Sequence, residues 1–197
     1  MPVPLFATRP RPLAGWLLRA LGWRQEFLAP PEPRVLVVVY PHTSNWDFLW
    51  GILGCWAAGW PINWVAKHSL FFWPAGLLLR SWGGIAVDRT AAGGLVEALA
   101  RTFRERPQMA LAITPEGTRG YRDHWKSGFY RIALAADVPL GIGYIDYARR
   151  TVGVAEYFRL SGDEDADLAR IARAYAGRTA RHPELAAPIR LKPPSGN

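Results

Sequence analysis

Short apolar runs rich in Val, Ile, Leu and Ala alternate along the chain with longer segments in which apolar residues recur at helical spacing. The short runs predict strands at residues 35–39, 62–66, 84–87, 109–114, 139–147 and 152–158. The longer segments predict helices at residues 13–23, 46–59, 71–82, 94–106, 127–136 and 163–178. This alternation is typical of an α/β protein, and the turn before the last strand predicts a hairpin. We therefore expect a layered, mixed β-sheet of about six or seven strands flanked by helices.

The same pattern divides the chain into three parts. Residues 1–33 contain a short amphipathic helix flanked by arginines and then a stiff, proline-rich linker. This segment either lies in the headgroup region of a membrane or packs on the domain as an ordinary amphipathic helix. Residues 34–180 carry the alternating strands and helices and form the main domain. Residues 181–197 are rich in proline, and we expect a loosely held tail.

The composition adds evidence about the surroundings and partners of the protein, since the chain has ten tryptophans and a formal net charge of +8. Tryptophan beside arginine is typical of a boundary between apolar and aqueous surroundings. A strong positive charge predicts an anionic partner, which is a nucleic acid, an anionic lipid or a phosphorylated substrate. The aromatic residues lie mostly in apolar runs and are not interleaved with lysines, as a stacking platform for bases requires. We therefore expect no nucleic-acid partner.

Several common catalytic signatures are absent from the sequence. Cys55 is the single cysteine, which excludes an internal disulfide and a cysteine-based metal cluster. The four histidines lack metal-ligand spacing, so we expect no metal site and no resident cofactor. Neither a GxxxxGK[ST] phosphate loop nor a GxSxG nucleophile turn occurs. The N-terminus has no clear small-residue cleavage site, which favours a cytoplasmic protein.

A histidine and an aspartate follow the first predicted strand of the main domain. His42 lies just past the strand, and Asp47 lies in the first turn of the helix that follows. From there the carboxylate can contact one imidazole nitrogen, fix the tautomer and leave the other nitrogen as a general base. Alternatively, Asp47 only caps the helix and His42 is an ordinary loop histidine.

Two further strand ends carry polar residues. Asp88 and Arg89 follow the strand at 84–87, and the strand at 109–114 is followed by Glu116, Gly117, Thr118 and Arg119, with Lys126 beyond them. Glycine lets the backbone turn tightly, while arginine and lysine bind phosphate, so these turns predict a phosphate pocket beside one base. Since no protein nucleophile is evident, the expected reaction is direct. The histidine deprotonates a substrate hydroxyl, which attacks an activated acyl carbon.

Three of these stretches together resemble the motifs of the glycerolipid acyltransferase family, which contains the lysophosphatidic acid acyltransferases. Residues 42–47, HTSNWD, resemble its HxxxxD motif, residues 84–89, GIAVDR, its second motif, and residues 115–119, PEGTR, its third. They occur in the family's order. Residues 136–140, ADVPL, resemble the start of the fourth motif, but Ile142 stands where a second proline is usual. The resemblance covers residues 35–147.

The resemblance implies a glycerol-phosphate acyltransferase-like fold and an O-acyltransferase activity. An acyl-CoA or acyl carrier protein thioester would be the co-substrate, and a hydroxyl of a lysophospholipid such as 1-acylglycerol 3-phosphate would accept the acyl group. His42 would be the general base and Asp47 would orient it. The residues that would bind or shape the substrate site are Arg89, Glu116, Gly117, Thr118, Arg119 and Lys126. Lys67 is a further candidate for anionic groups, although Lys67 and Lys126 are equally explained as solvated lysines.

The resemblance also implies that the protein acts at a membrane. We expect a peripheral or monotopic protein at the cytoplasmic face of the membrane, whose partners are the membrane surface, a lipid acceptor and the thioester donor. Two alternatives stay open. One is an acyltransferase of the same fold that uses another lyso-lipid, and the other is a non-catalytic, basic lipid-binding module.

Overall fold

A computed structural model of the chain describes residues 9–87 and 94–192. Within these residues seven strands form a single mixed sheet, which confirms the predicted α/β class. The strands are β1 (Arg24–Phe27), β2 (Arg34–Val39), β3 (Ile62–Lys67), β4 (Gly84–Val87), β5 (Met109–Ile113), β6 (Leu140–Asp146) and β7 (Thr151–Phe158). Their order across the sheet is β1-β7-β6-β2-β5-β3-β4. Neighbouring strands are parallel except β6 and β7, which form the predicted hairpin.

Helices cover both faces of this sheet. They are α1 (Pro12–Ala20), α2 (Asn45–Ala58), α3 (Ala75–Ser81), α4 (Leu95–Glu105), α5 (Gly128–Ala136) and α6 (Glu164–Tyr175). The helix predicted at 71–82 is shorter than expected, because it begins only after its N-cap, Pro74. Residues 68–70 form a separate 3₁₀ turn before it. No helix within residues 9–87 and 94–192 has both the length and the apolar character needed to cross a membrane.

The central strand β2 is buried on both faces, as is typical of a parallel strand covered by helices. Leu36 and Val38 pack into a core that includes residues of α4, α5 and α6, whereas Val35 and Val37 pack toward α2. Strands β2 and β5 pair in parallel, so their carboxyl ends lie at the same edge of the sheet. The loops that follow them are therefore neighbours, and they carry the residues 42–47 and 115–119.

Residues 24–27, which we assigned to the N-terminal segment and linker, form strand β1, so this boundary is wrong. The strand pairs in parallel with β7, from Arg24 opposite Thr151 to Phe27 opposite Val154. Its four residues, RQEF, are mostly exposed at the sheet edge, so they show no apolar run that would predict a strand. Helix α1 is also packed onto the domain through Leu18, while Trp16 on its other side is 59% exposed.

The prediction of a loosely held C-terminal tail is wrong for residues 181–192, which we call the C-terminal strap. The His182 backbone N–H donates to Thr43 Oγ1 at 3.2 Å, and the Ala187 N–H donates to Glu116 Oε1 at 3.1 Å. The Tyr40 hydroxyl donates to the Ala187 carbonyl at 2.9 Å. The strap has almost no regular structure, so no periodicity could reveal it. Its backbone groups are paired with the loops of the site instead.

Candidate active site at the ends of β2 and β5

Asp47 is fixed at the start of α2 by a capping box. The Ser44 side chain accepts a hydrogen bond from the Trp46 N–H at 3.3 Å, and the Asp47 carboxylate accepts one from the Ser44 N–H at 2.8 Å. Such reciprocal bonds satisfy amide groups that have no partner within the helix. Asp47 therefore does cap the helix, as the simpler interpretation expected. It also does more, because its carboxylate contacts His42.

His42 and Asp47 form a hydrogen-bonded pair. His42 Nδ1 lies 3.2 Å from Asp47 Oδ2. Asp47 is 1% exposed, whereas the His42 side chain retains 16% exposure. A carboxylate at Nδ1 favours the tautomer that carries its proton there, so that Nε2 is the nitrogen able to accept a proton. The pair has the arrangement that orients a histidine as a general base.

Asp47 accepts hydrogen bonds at both carboxylate oxygens. Besides His42, Oδ2 accepts from the N–H groups of Thr43 and Ser44, each at 2.8 Å, and Oδ1 accepts from the Tyr147 hydroxyl at 2.6 Å. Burial by itself raises the pKa of Asp47, but the bonds from His42, Tyr147 and the Ser44 backbone outweigh it and hold the pKa below its usual value. Asp47 is therefore ionised at neutral pH.

Glu116 is a second buried carboxyl group beside His42, and it is 2% exposed. Its Oε2 accepts from the His42 backbone N–H at 2.8 Å, and its Oε1 accepts from the Ala187 N–H. Burial raises the pKa of Glu116 and outweighs these two hydrogen bonds. Because both oxygens already bind backbone amides, Glu116 ties the His42 loop to the β5 turn and the strap.

The turn after Glu116 leads to two cations. Gly117 has a φ of +65°, and a Cβ there would lie 2.9 Å from Lys126 Cε, so glycine fits both the backbone and the space. Thr118 Oγ1 accepts from the Gly120 N–H at 3.3 Å and stabilises the turn. Arg119 and Lys126 are exposed, and within the described ranges neither side chain has a hydrogen bond or ion pair. Both are available to an anionic ligand.

Not every predicted site residue can be placed. Asp88 and Arg89 lie outside the described residues. Among the residues that are described, His42, Asp47, Gly117 and Lys126 line one common cavity. The described ranges contain no group of three His, Cys, Asp or Glu side chains arranged to hold a metal ion.

The cavity has a volume of about 360 Å³ and is lined by His42, by residues of α2 and the sheet, and by further residues of α4, α5 and the turn after β5. Its walls are mainly apolar; they include Val37, Val39, Phe48, Gly51, Ile52, Cys55, Ile62, Val152 and Val154, together with Phe27 and Trp60. The rings of Phe27 and Trp60 are 5.2 Å apart. Burial raises the pKa of the Cys55 thiol to about 12, so Cys55 is a neutral wall residue with no nucleophilic character.

Tyr147 is the residue of this site that sequence reasoning missed. It follows β6 and is 100 positions from Asp47 in the chain. No motif or spacing marks it, because the contact exists only once β6 lies beside β2 in the sheet. The strap residues that contact Thr43 and Glu116 were missed for the same reason.

Comparison with known proteins gives three findings. The sequence model of a protein family described as Acyltransferase matches residues 25–141. No curated protein sequence matches the chain. Among solved structures, the fold is similar to that of the 1-acyl-sn-glycerophosphate (LPA) acyltransferase, PlsC, from Thermotoga maritima, with a TM-score of 0.54 and 18% sequence identity over 85% of this chain and 78% of that chain. At this identity the likeness concerns the fold.

Proposed function

The chain belongs to the acyltransferase family, and on this premise we propose that it transfers a fatty acyl group from a thioester to a hydroxyl of a lysophospholipid. The donor is acyl-CoA or an acyl carrier protein, and the acceptor is 1-acylglycerol 3-phosphate or a related lyso-lipid. One observation carries the proposal, namely the His42–Asp47 pair in the lining of a mainly apolar cavity. The PlsC enzyme of similar fold is named for the same class of acceptor.

In the proposed reaction, His42 acts as general base. Its Nε2 takes the proton of the acceptor hydroxyl while the hydroxyl oxygen forms a bond to the thioester carbonyl carbon. The tetrahedral intermediate collapses, the carbon–sulfur bond breaks, and the leaving thiolate takes the proton back from His42. A positioned base contributes roughly 10² to 10⁴ in rate. Orientation of the two substrates supplies a further part of the acceleration.

The apolar cavity is suited to the acyl chain. Each buried methylene group contributes about 0.8 kcal/mol of transfer free energy, so a long chain gains much from walls without charge. Helix α2 forms one such wall through Phe48, Ile52 and Cys55, and β2 forms another through Val37 and Val39. An acyl chain that lies along these walls has its carbonyl carbon at the cavity mouth beside His42.

The cations near the mouth suit the acceptor's phosphate. Arg119 offers a planar fork that binds phosphate through two parallel hydrogen bonds, and Lys126 adds a point charge at the cavity wall. Their lack of partners among the described residues supports this role. Gly117 and Thr118 shape the turn that presents Arg119. We also propose Arg89 as a phosphate ligand, on the basis of its position in the sequence motif.

We further propose that the protein acts at the cytoplasmic face of a membrane, as a peripheral or monotopic enzyme. Trp56 of α2 lies against Arg11, which precedes α1, and against Trp82, which follows α3, so these three helices are neighbours. Large apolar side chains are exposed on and around them, namely Leu13, Trp16, Leu21, Trp46, Leu49, Leu70, Phe72, Trp73, Leu77 and Leu78. Exposed apolar side chains in such number mark an interaction surface, and arginine with tryptophan suits lipid headgroups.

Turnover of oleoyl-CoA with lysophosphatidic acid tests the catalytic proposal. The wild-type protein should release CoA and form phosphatidic acid, measured by thiol titration and by mass spectrometry. His42→Ala should lose both products while the protein stays folded, because the change removes the imidazole and keeps the backbone N–H that binds Glu116. His68→Ala, at an exposed histidine outside the site, should behave as wild type.

Two outcomes would contradict the proposal. Undiminished turnover in the His42→Ala variant would rule out His42 as the base. If the wild-type protein binds lysophosphatidic acid vesicles but releases no CoA with any acceptor, the chain is a lipid-binding module and not the enzyme proposed here.

A further inference from the structure

Tyr147 contacts the oxygen of Asp47 that faces away from His42. Its hydroxyl donates to Asp47 Oδ1 at 2.6 Å, whereas His42 lies against Oδ2. Tyr147 lies beyond the residues that the acyltransferase family model matches and outside every motif in the sequence. Its role is therefore open, although it touches the group that orients the base.

The Tyr147 ring is itself held from several sides. The ring makes an edge contact with Trp23, at a centroid distance of 5.1 Å, and Trp23 stacks on Trp50 of α2. The Tyr147 backbone N–H donates to the Thr179 carbonyl at 2.9 Å, and the Arg181 guanidinium lies 5.9 Å from the ring centroid. The hydroxyl therefore starts from a fixed position, which is what a positioning group requires.

We propose that Tyr147 is a positioning residue that sets the rotation of the Asp47 carboxylate and thereby the orientation of His42. The two backbone amides that bind Asp47 both contact Oδ2, so they leave rotation about the Cβ–Cγ bond incompletely fixed. The bond to Oδ1 fixes the second oxygen, and with it the direction in which Oδ2 faces His42 Nδ1. This inference rests on the proposed function of His42 as the general base.

The protonation states fit this arrangement. Burial raises the pKa of the Tyr147 hydroxyl, and the hydrogen bond to Asp47 raises it further, while Arg181 opposes both effects. The hydroxyl is therefore a donor throughout the neutral range. The other titratable groups around Asp47 are His42, and Glu116 on the far side of the His42 backbone.

A comparison of Tyr147→Phe with Tyr130→Phe tests the proposal. Tyr130 also donates its hydroxyl to a buried carboxylate, that of Asp167 at 2.8 Å, but it lies outside the site. Y147F keeps the ring and removes the bond to Asp47, so kcat should fall on the order of 10- to 100-fold, as expected for a lost hydrogen bond to a charged group. The KM values for thioester and acceptor should stay within about twofold, because Tyr147 is not among the residues that line the cavity. Y130F should lower the melting temperature and leave kcat unchanged.

The pKa of Asp47 provides a readout that does not depend on turnover. It is measured by ¹³C NMR of protein labelled at the aspartate carboxyl carbons, with Asp47→Asn used to assign the signal. The Tyr147 bond lowers the pKa of Asp47, so Y147F should raise it and Y130F should not. In the D47N background, Y147F should cause no further loss of kcat, because the carboxylate through which Tyr147 acts is already absent.

Each result has a defined meaning. Wild-type kcat in Y147F overturns the inference, and so does a loss of kcat with an unchanged pKa of Asp47, because the hydroxyl would then not act through Asp47. If His42→Ala loses turnover while Y147F does not, the inference alone is wrong. If the wild-type protein transfers no acyl group, the proposed function is wrong and the inference falls with it.

Discussion

Two buried carboxyl groups flank His42, and their pKa values shift in opposite directions. Burial raises both, but Asp47 also receives bonds from the His42 ring, Tyr147 and the Ser44 backbone, which together lower its pKa. Glu116 receives two backbone amides, which do not offset its burial, so its pKa is raised. Asp47 is the ionised partner of His42, and Glu116, whose pKa is raised, bridges the loops.

These shifts predict opposite effects of pH on the free energy of unfolding. The pKa of Asp47 in the folded protein lies below that of the unfolded chain, about 3.9. Asp47 therefore stabilises the fold above that value, and this contribution is lost as the pH falls through the lowered pKa. For Glu116 the folded pKa is raised, so its stabilisation is present below about 4.3 and is lost as the pH rises through the raised pKa.

Urea unfolding from about pH 3 to 7 measures both contributions. The stability difference between wild type and Asp47→Asn should shrink as the pH falls toward the acid end. The difference between wild type and Glu116→Gln should instead shrink as the pH rises. Parallel stability curves for wild type and either variant would contradict the corresponding shift.

The sequence predicted some of these residues and could not predict others. His42 and Asp47 are five positions apart in one loop and helix turn, so local rules on capping and helix period place them together. Glu116 was predicted to lie near them, but its bonds to the His42 and Ala187 amides depend on tertiary pairing. Tyr147 has no local signal at all.

Helix α2 is apolar on nearly all sides because each side meets a different apolar surface. Ala57 and Leu53 pack toward α1, Cys55 faces the sheet, and Gly51 lines the cavity. The strand–helix pattern and the capping residues predicted the extent of α2 well. The same reasoning missed β1, because an exposed edge strand of four residues is recognised only by its pairing with β7.

Gly51 offers a direct test of whether the cavity binds the acyl chain. A Cβ at Gly51 would meet no atom within 4 Å, so a side chain there would extend into open space. Gly51→Leu should therefore shorten the acyl chain that the cavity accepts. The rate with a long-chain acyl-CoA should fall by roughly tenfold or more relative to a short-chain one, because the lost methylene contacts are each worth about 0.8 kcal/mol.

Initial rates across a series of saturated acyl-CoA lengths provide the measurement. Gly51→Ala is the matched control, since its methyl group occupies little of the cavity and should stabilise the helix by roughly 0.5–1 kcal/mol. An identical chain-length profile in G51L and wild type would mean that the acyl chain lies elsewhere.

At the scale of the whole molecule, the large exposed apolar residues are distributed unevenly. The formal net charge of +8 accompanies large apolar side chains exposed around α1 and α3, of which Trp73 is the most exposed at 82%. On the opposite face of the sheet, the helices α4, α5 and α6 bury their apolar sides in the larger core. Composition predicted an interface between apolar and aqueous surroundings, and the fold shows that many of the exposed apolar side chains lie around α1 and α3.

Trp73 tests whether this surface binds lipid. Trp73→Ala should lower partitioning onto vesicles of phosphatidylcholine and phosphatidylglycerol on the order of tenfold, because an inserted indole loses its apolar contact area. Leu134→Ala, at an exposed apolar residue of α5, should bind as wild type. Cosedimentation with sucrose-loaded vesicles measures both.

Salt distinguishes the electrostatic contribution to vesicle binding from the apolar contribution of Trp73. The Debye length falls from about 10 Å at 0.1 M to about 3 Å at 1 M, so added salt should weaken the attraction between the basic protein and anionic lipid while leaving the contribution of Trp73 in place. The ratio of wild-type to W73A binding should therefore be the same at both salt concentrations, even though both proteins bind less at the higher one. If W73A and L134A both bind as wild type, the exposed residues around α3 have no part in membrane attachment, and the charge of the chain alone has to account for it.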